Sequence, residues 1–434
     1  MNAATDHAPP AAGTGANDSS TPAGALHGEA LALPSIGAPA RADTRPILAL
    51  GAWFKHAACL LEHGHARFGP NRGDLDNADA CRGVEPAVAA LLAASGRPPR
   101  AVAHDLHPDF HSTRIALATA ARLGVPAFGV QHHHAHAGAV LAEHGRFDAR
   151  PVLALALDGV GLGSDGGAWG GELLWVAGAE FVRLGHLRPL PLPGGDRAAR
   201  EPWRIAAALL HAGGRGAEIA RRFARQPAAA QLGQVLARPA LCPPTSSLGR
   251  HFDAAAGLLG ICEVMGTEAE AALALEALAA RSPVPAVARG NWRILAPPAA
   301  PAPAAGGADR SAGRFDTAAS SPPGTLPLLE LDLHPLLLGL ADETDAARGA
   351  ARFQATVAAA LVDWVEHARI ASGCDTVVLC GGCLHNHLLS AALQSALGAR
   401  GLTVLGAQRL SPGDASLALG QAWVAHHRLA TPES

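Results

Sequence analysis

The sequence predicts an α/β protein of layered strands and helices, and three observations carry that reading. Short apolar runs alternate with segments of helical periodicity, several helical segments are closed by glycine, and 49% of the residues are apolar, ample for a buried core. Taken in order, Ile47–Gly51, Ala101–His104, Ala127–Val130, Val152–Leu157, Leu173–Ala177, Thr376–Cys380 and Thr403–Leu405 read as strands, because each is apolar and too short for a helix. Between them, Thr113–Leu123, Ala135–His144, Arg197–His211, Glu268–Ala280, Arg352–Ala371 and Asn386–Leu397 carry the spacing of helices with one buried face. No short-period repeat interrupts this order.

The chain has 434 residues, a formal charge of −3 and only 16% charged side chains, so no basic stripe suited to nucleic acid exists. Apolar runs such as 151–157 fall far below the roughly 18 residues of a membrane span, so no membrane partner is expected. The N-terminal stretch lacks a basic segment followed by an apolar one, and a cytoplasmic protein is expected. Seven scattered cysteines read as reduced thiols, and Cys380-Gly-Gly-Cys383 has no second such pair to complete a four-thiolate metal site. Residues 1–43 and 296–324 are rich in Ala, Pro, Gly, Ser and Thr and are expected to be a disordered leader and a solvated insertion. Among 34 basic residues only one, Lys55, is lysine, and tyrosine is absent. A residue type lost everywhere but one position is a candidate for a chemical role there.

The densest chemical cluster is Val130-Gln-His-His-His-Ala-His136, directly after a strand and opening a helix. His132 and His136 are spaced i, i+4, which puts both imidazoles on one helix face, one turn apart, as a divalent metal requires. The alternative is a polar helix start with solvent-facing histidines. Two imidazoles suit Zn or Fe, and a carboxylate should complete the set. Asp414, in Pro412-Gly-Asp414, is either that carboxylate or the N-cap of the apolar helix that follows. Asp158 ends the apolar run Val152–Leu157 and precedes a glycine-rich stretch, a way to aim a carboxylate at a ligand; a plain hairpin turn is the competing reading. Two further turns have a context for phosphate or nucleoside contacts. Gly381-Gly382 joins a strand to a helix headed by Asn386, and Gly194-Gly195-Asp196 precedes a segment bearing Glu201 and Arg204. Neither is a Walker A loop.

Together these motifs resemble the C-terminal transferase region of the hydrogenase-maturation carbamoyltransferases, the HypF family, and more distantly the tRNA threonylcarbamoyl transferases. The resemblance rests on Ala103-His-Asp-Leu-His-Pro-Asp109 with Ser112-Thr-Arg114, the histidine cluster, and Asp158 to Glu172. It continues through Leu192-Pro-Gly-Gly-Asp196 with Glu201-Pro-Trp-Arg204, Thr245-Ser-Ser-Leu-Gly-Arg250 with Phe252-Asp253, Gly381-Gly382 with Asn386, and Pro412-Gly-Asp414, in family order over about 47–427. It implies a two-lobed, actin-like ATPase fold (the ASKHA class, Kae-like) with a metal and a nucleotide in the cleft, a first lobe over 44–150 and a second over 151–427. His132, His136 and Asp414 would bind the metal, Zn or Fe, with Asp158 as a further ligand or catalytic carboxylate. Gly195, Asp196, Glu201, Gly381, Gly382 and Asn386 would face ATP or carbamoyl-adenylate. The family passes the carbamoyl group to the C-terminal cysteine of HypE, and the product becomes the cyanide ligand of NiFe hydrogenase. Lys55 lies in Gly51-Ala-Trp-Phe-Lys55, similar to the family's Gly-x-x-x-Lys-Asn, where a compact ammonium is a point donor that a guanidinium replaces poorly. The catalytic candidates are thus His132, Asp158 and Lys55.

Several positions depart from the family pattern. His56 stands for Asn, Cys380 for Ser, Thr267-Glu-Ala-Glu270 for Tyr-Glu-Gly-Gln, and Phe353-Gln354 for Phe-His. The family's acylphosphatase-like, zinc-finger and adenylate-forming domains have no counterpart in this sequence, so a separate adenylate-forming protein is an expected partner beside a HypE-like one. A small-molecule O-carbamoyltransferase and a non-catalytic paralogue that docks maturation proteins are the competing readings.

Overall fold

The computed structural model describes residues 30–33, 45–296 and 328–430, and its strands form two sheets. The first sheet contains β1 (Ala30–Ala32), β2 (Ile47–Ala49), β3 (Cys59–Glu62), β4 (His65–Phe68), β5 (Ala101–Asp105) and β6 (Ala127–Val130), in the spatial order β1-β4-β3-β2-β5-β6. Strands β2, β5 and β6 run parallel, and β2-β3-β4-β1 pair antiparallel. The leader expected at 1–43 is therefore corrected at 30–33, where Leu31 and Leu33 are buried and Ala30–Ala32 pairs with β4; the rest of it lies outside the described residues. So does the insertion expected at 296–324, apart from Ala296.

The second sheet contains β7 (Val152–Leu162), β8 (Ala168–Ala177), β9 (Glu180–Leu187), β10 (Leu190–Pro191), β11 (Pro244–Thr245), β12 (Arg293–Leu295), β13 (Leu329–Asp332), β14 (Thr376–Cys380) and β15 (Thr403–Gly406). Its main path is β12-β13-β9-β8-β7-β14-β15, with the short β10 and β11 attached beside β8. Strand β14 lies parallel to β7 and β15, and both of its faces are covered, which explains its unbroken apolar run. One core of this half is built on fully buried Trp203, Phe252, Phe353 and Trp364, with the rings of Phe252 and Phe353 edge to face at 5.0 Å.

Two expected elements are redrawn. The helix read over Arg197–His211 is a single 3-10 turn, Gly195–Arg197, and then a separate helix, Pro202–Ala212. Pro202 sits at its first turn, where its missing N–H costs nothing, and disfavours helical geometry at Glu201. The long helix begins earlier than Arg352, at Ala346–Ser372, because Asp345 accepts from the N–H groups of Ala347 and Arg348.

The chain leaves the first sheet through helix His132–Glu143, and its last helix, Leu417–Ala430, returns to lie against β2, β3, β5 and that same helix. The two helices approach closely at glycines: a Cβ on Gly420 would overlap the carbonyl of Ala135, and one on Gly138 would lie 3.0 Å from the carbonyl oxygen of Gly420. Gln421, fully buried, fastens the returning helix to the first sheet. Its Oε1 accepts from Gly51 N–H at 2.9 Å and its Nε2 donates to Gly51 O at 3.1 Å.

Candidate metal centre

Four elements deliver the site. Asp105 is the last residue of β5, His132 and His136 occupy the first turns of helix His132–Glu143, Asp158 lies within β7, and Asp414 precedes the returning helix. The β7–β8 pairing slips between Leu157 and Gly161, so β7 runs on past Asp158 instead of ending before it. Asp158 therefore sits inside a hairpin strand and not at its turn, and at the bulge its carboxylate faces the two histidines.

His132 Nδ1 lies 2.8 Å from Asp105 Oδ2, which leaves its Nε2 3.3 Å from Asp158 Oδ2 and 3.6 Å from Asp414 Oδ1. His136 Nε2 lies 3.4 Å from Asp158 Oδ2 and 3.3 Å from Asp414 Oδ1, and the two Nε2 atoms are 3.2 Å apart. One donor atom from each of His132, His136, Asp158 and Asp414 falls within 4.8 Å of the others. Four ligands at about 2.0–2.1 Å around a tetrahedral ion stand about 3.3 Å from one another, so the residues fit a Zn-like divalent cation. Asp105 supplies the carboxylate that fixes the tautomer and tilt of a ligating histidine.

Burial works against the charge of every member, yet the carboxylates outweigh it at the histidines. His132 is held well above the ordinary imidazole value by Asp414, Asp105 and Asp158, and His136 is raised by Asp158 and Asp414. Reciprocally, the two imidazoles hold the carboxyls of Asp158 and Asp414 below their usual range against the same burial. The other two histidines of the run serve the fold. His133 is pushed well down by burial, with its Nδ1 3.1 Å from Gln131 Nε2, and His134 is lowered to about 3 while its Nε2 lies 3.0 Å from Gly178 O.

At the glycine turns, several of the expected ligand-facing groups have partners within the protein. Gly382 N–H donates to Asp158 Oδ1 at 3.0 Å and Gly381 N–H to Pro412 O at 2.9 Å, so this turn braces the two aspartate segments in place of presenting free amides. Gly381 has φ +100°, and a Cβ there would run into Leu157 O. Asn386 caps helix His387–Gly398 by accepting from Leu389 N–H at 2.9 Å. The helix amides expected to favour an anion already donate to the carboxylate of Glu276, from His387 at 2.7 Å and Leu388 at 3.4 Å. Near the other turn, Gly195 has φ +62° and Asp196 is exposed, but Glu201 is spent internally on Arg197 Nε, Trp203 Nε1 and Arg204 Nε at 2.5, 3.0 and 2.5 Å. Lys55 is not in the four-residue cluster. Its Nζ, on an exposed turn, lies 3.0 Å from Asp74 Oδ1 and 2.5 Å from Glu268 Oε2. Cys380 and Cys383 are free thiols raised by burial, and neither joins the metal cluster.

Sequence reasoning gave no role to Asp105 or Gly161. The signal for Asp105 was its place at the end of an apolar strand, beside a histidine and ahead of His107-Pro108. A Cβ on Gly161 would lie 2.5–2.8 Å from ring atoms of His132 and His133, so the bare backbone there makes room for the imidazoles.

Two sheets joined by a returning helix, with two histidines and two aspartates converging between them, define a two-lobed actin-like α/β domain of the Kae1 kind. Residues 42–143 match the HypF Kae1-like domain, and residues 154–421 match the second subdomain of the carbamoyltransferase Kae1-like domain. The chain belongs to the HypF carbamoyltransferase family. It is 52% identical over 391 residues to carbamoyltransferase HypF2 of Cupriavidus necator, covering 88% of this chain and 46% of that protein. It is 49% identical to a carbamoyltransferase HypF homolog of the same organism, covering 89% of this chain and 93% of that one. The crystal structure of full-length HypF in its phosphate- and nucleotide-bound form superposes with a TM-score of 0.72 at 27% identity, over 89% of this chain and 47% of that chain. The chain thus spans about half the length of HypF2 and of that crystallised protein. Among the described residues, no helix is long and apolar enough to cross a membrane.

Proposed function

We propose that this chain transfers a carbamoyl group from carbamoyl-adenylate to the C-terminal cysteine of a HypE-like protein in hydrogenase maturation, with the adenylate supplied by a separate protein. The observation that carries the reading is the buried convergence of His132, His136, Asp158 and Asp414 in a chain of this family. Those four residues would hold a divalent ion, Zn or Fe. Bound there, such an ion would supply Lewis-acid stabilisation of the charge that develops during transfer. Asp105 keeps His132 turned toward the centre, and Gly382 N–H fixes the second oxygen of Asp158. In the transfer, the acceptor sulfur bonds to the carbamoyl carbon while the carbon–oxygen bond to the adenylate breaks, AMP leaves, and the thiol proton is released. The test is to incubate the purified chain with carbamoyl phosphate, ATP and a HypE-like acceptor, with and without an adenylate-forming domain. A carbamoyl mass gain on the acceptor cysteine that His132→Ala abolishes supports the reading; full activity in a metal-free chain overturns it.

Metal affinity should fall as the solution is acidified. Because His132 and His136 hold protons above the ordinary imidazole value, an incoming cation must displace them, and lowering the pH through their raised values favours the protonated, metal-free form. Competition with a chelator at neutral and mildly acidic pH measures this, and an affinity that rises on acidification refutes it.

Lys55→Arg separates catalysis from stability. Exposed ion pairs contribute about 0–1 kcal/mol, so the fold should be unchanged in thermal melting. A planar guanidinium replaces the point charge between Asp74 and Glu268 poorly, and transfer should drop about tenfold. A fully active variant would make Lys55 a surface residue without a role in transfer.

A further inference from the structure

Glu143 is the last residue of the helix that carries His132 and His136, and it is buried. A carboxylate at a helix C-terminus faces the negative end of the dipole, so local physics disfavours it there. Its oxygens are nonetheless aimed at three successive amides far along the chain. Gln408 N–H donates to Oε2 at 3.0 Å, and Arg409 and Leu410 N–H donate to Oε1 at 2.6 and 3.0 Å. The next residue, His144, places its Nε2 2.8 Å from Gly406 O, so the helix end grips the whole 406–410 segment. That segment runs directly into Ser411-Pro-Gly-Asp414. Downstream, Pro412 O accepts from Gly381 N–H at 2.9 Å and Ser411 O accepts from Ser416 Oγ at 2.7 Å, so little slack remains between the clamp and Asp414.

We infer that Glu143 is a positioning residue: by holding the 408–410 amides it sets Asp414 opposite the two imidazoles of its own helix, so that three of the four donors move as one unit. The inference rests on the metal reading of that site. Glu143→Gln keeps the size of the side chain but turns one acceptor into an amide donor facing backbone N–H groups, which the loop must move to avoid. An outer partner of this kind typically changes metal affinity by about 10–100-fold.

The experiment is a double-mutant cycle on the full chain, with cobalt binding and the cobalt absorption spectrum as readouts, over wild type, Glu143→Gln, Asp414→Asn and the pair. Glu143→Gln should weaken cobalt binding at least tenfold and alter the spectrum, while the pair should bind no more weakly than Asp414→Asn alone, because Glu143 acts through Asp414. Losses that multiply, or unchanged affinity in Glu143→Gln, overturn the inference while leaving the metal reading intact. A wild-type chain that takes up no cobalt overturns the metal reading and the inference with it. Should Glu143→Gln fail to fold, Glu143→Asp, which keeps the charge and withdraws it by one methylene, runs the same cycle.

Discussion

Asp158→Asn should cut metal affinity on the order of a hundredfold or more and abolish measurable transfer, with little change in the fold. Asp158 faces both imidazoles and is itself fixed by the backbone: Oδ2 lies 3.3 and 3.4 Å from the Nε2 atoms of His132 and His136, while Oδ1 accepts from Gly382 N–H at 3.0 Å. Asparagine has the same outline, so packing is not the variable. It removes the negative charge, and it must point its NH2 either at Gly382 N–H, donor against donor, or at the histidines, where it can ligate nothing. Several kcal/mol of charge stabilisation are at stake in such a site, and each 1.36 kcal/mol is about tenfold in rate. Metal content by elemental analysis and single-turnover transfer to the acceptor thiol measure the two effects. A variant that retains stoichiometric metal and transfers normally would remove Asp158 from the centre.

How much of this centre was legible in the sequence depended on the range of the signal. The i, i+4 pair His132 and His136 is a local pattern, and the helix that presents it is local too. Asp158 and Asp414 were ligand candidates that a turn and a cap explained as well, and only the family resemblance favoured the ligand reading. Glu143 carries no local mark and Asp105 only its place at a strand end, because the partners of both are fixed by tertiary structure: Asp105 meets a ring 27 residues on, and Glu143 meets amides 265–267 residues away. The glycine turn at 381–382 and the helix head at Asn386 are where the sequence places them, and their amides have partners within the protein that no local pattern announces. Sequence shows that amides are available there, not that Asp158 and Glu276 reach them first. Among the strands, the β3–β4 hairpin was missed because its turn, His63-Gly64 with φ +49° and +72°, uses histidine where Asn-Gly would have announced it.

Gly161→Ala should disable the centre without altering a single ligand. Gly161 lies on β7 where pairing with β8 resumes after the bulge, opposite Trp169, and the rings of His132 and His133 lie against its backbone. A methyl group there would sit 2.5 Å from His132 Cδ2 and 2.7 Å from its Cγ, with His133 Cε1 at 2.8 Å on the other side, closer than carbon atoms approach. His132 cannot yield freely, since its Nδ1 is held by Asp105 at 2.8 Å and Gly138 and Gly420 hold its helix against the returning one. The strain must therefore appear as a tilted ring, a shifted β7, or both. Overpacking of this kind costs about 1–3 kcal/mol of stability, which a chain of this size survives. The functional cost is larger, because a displacement of about 1 Å at a reacting centre costs about a hundredfold. The expected result is a folded protein, melting a few degrees lower, with metal affinity and transfer both reduced at least tenfold. Gly159→Ala is the control, since a Cβ at Gly159, in the same bulge, meets nothing within 4 Å. Equal losses in the two variants would show that the bulge tolerates no side chain anywhere, and that clearance for His132 is not what position 161 provides.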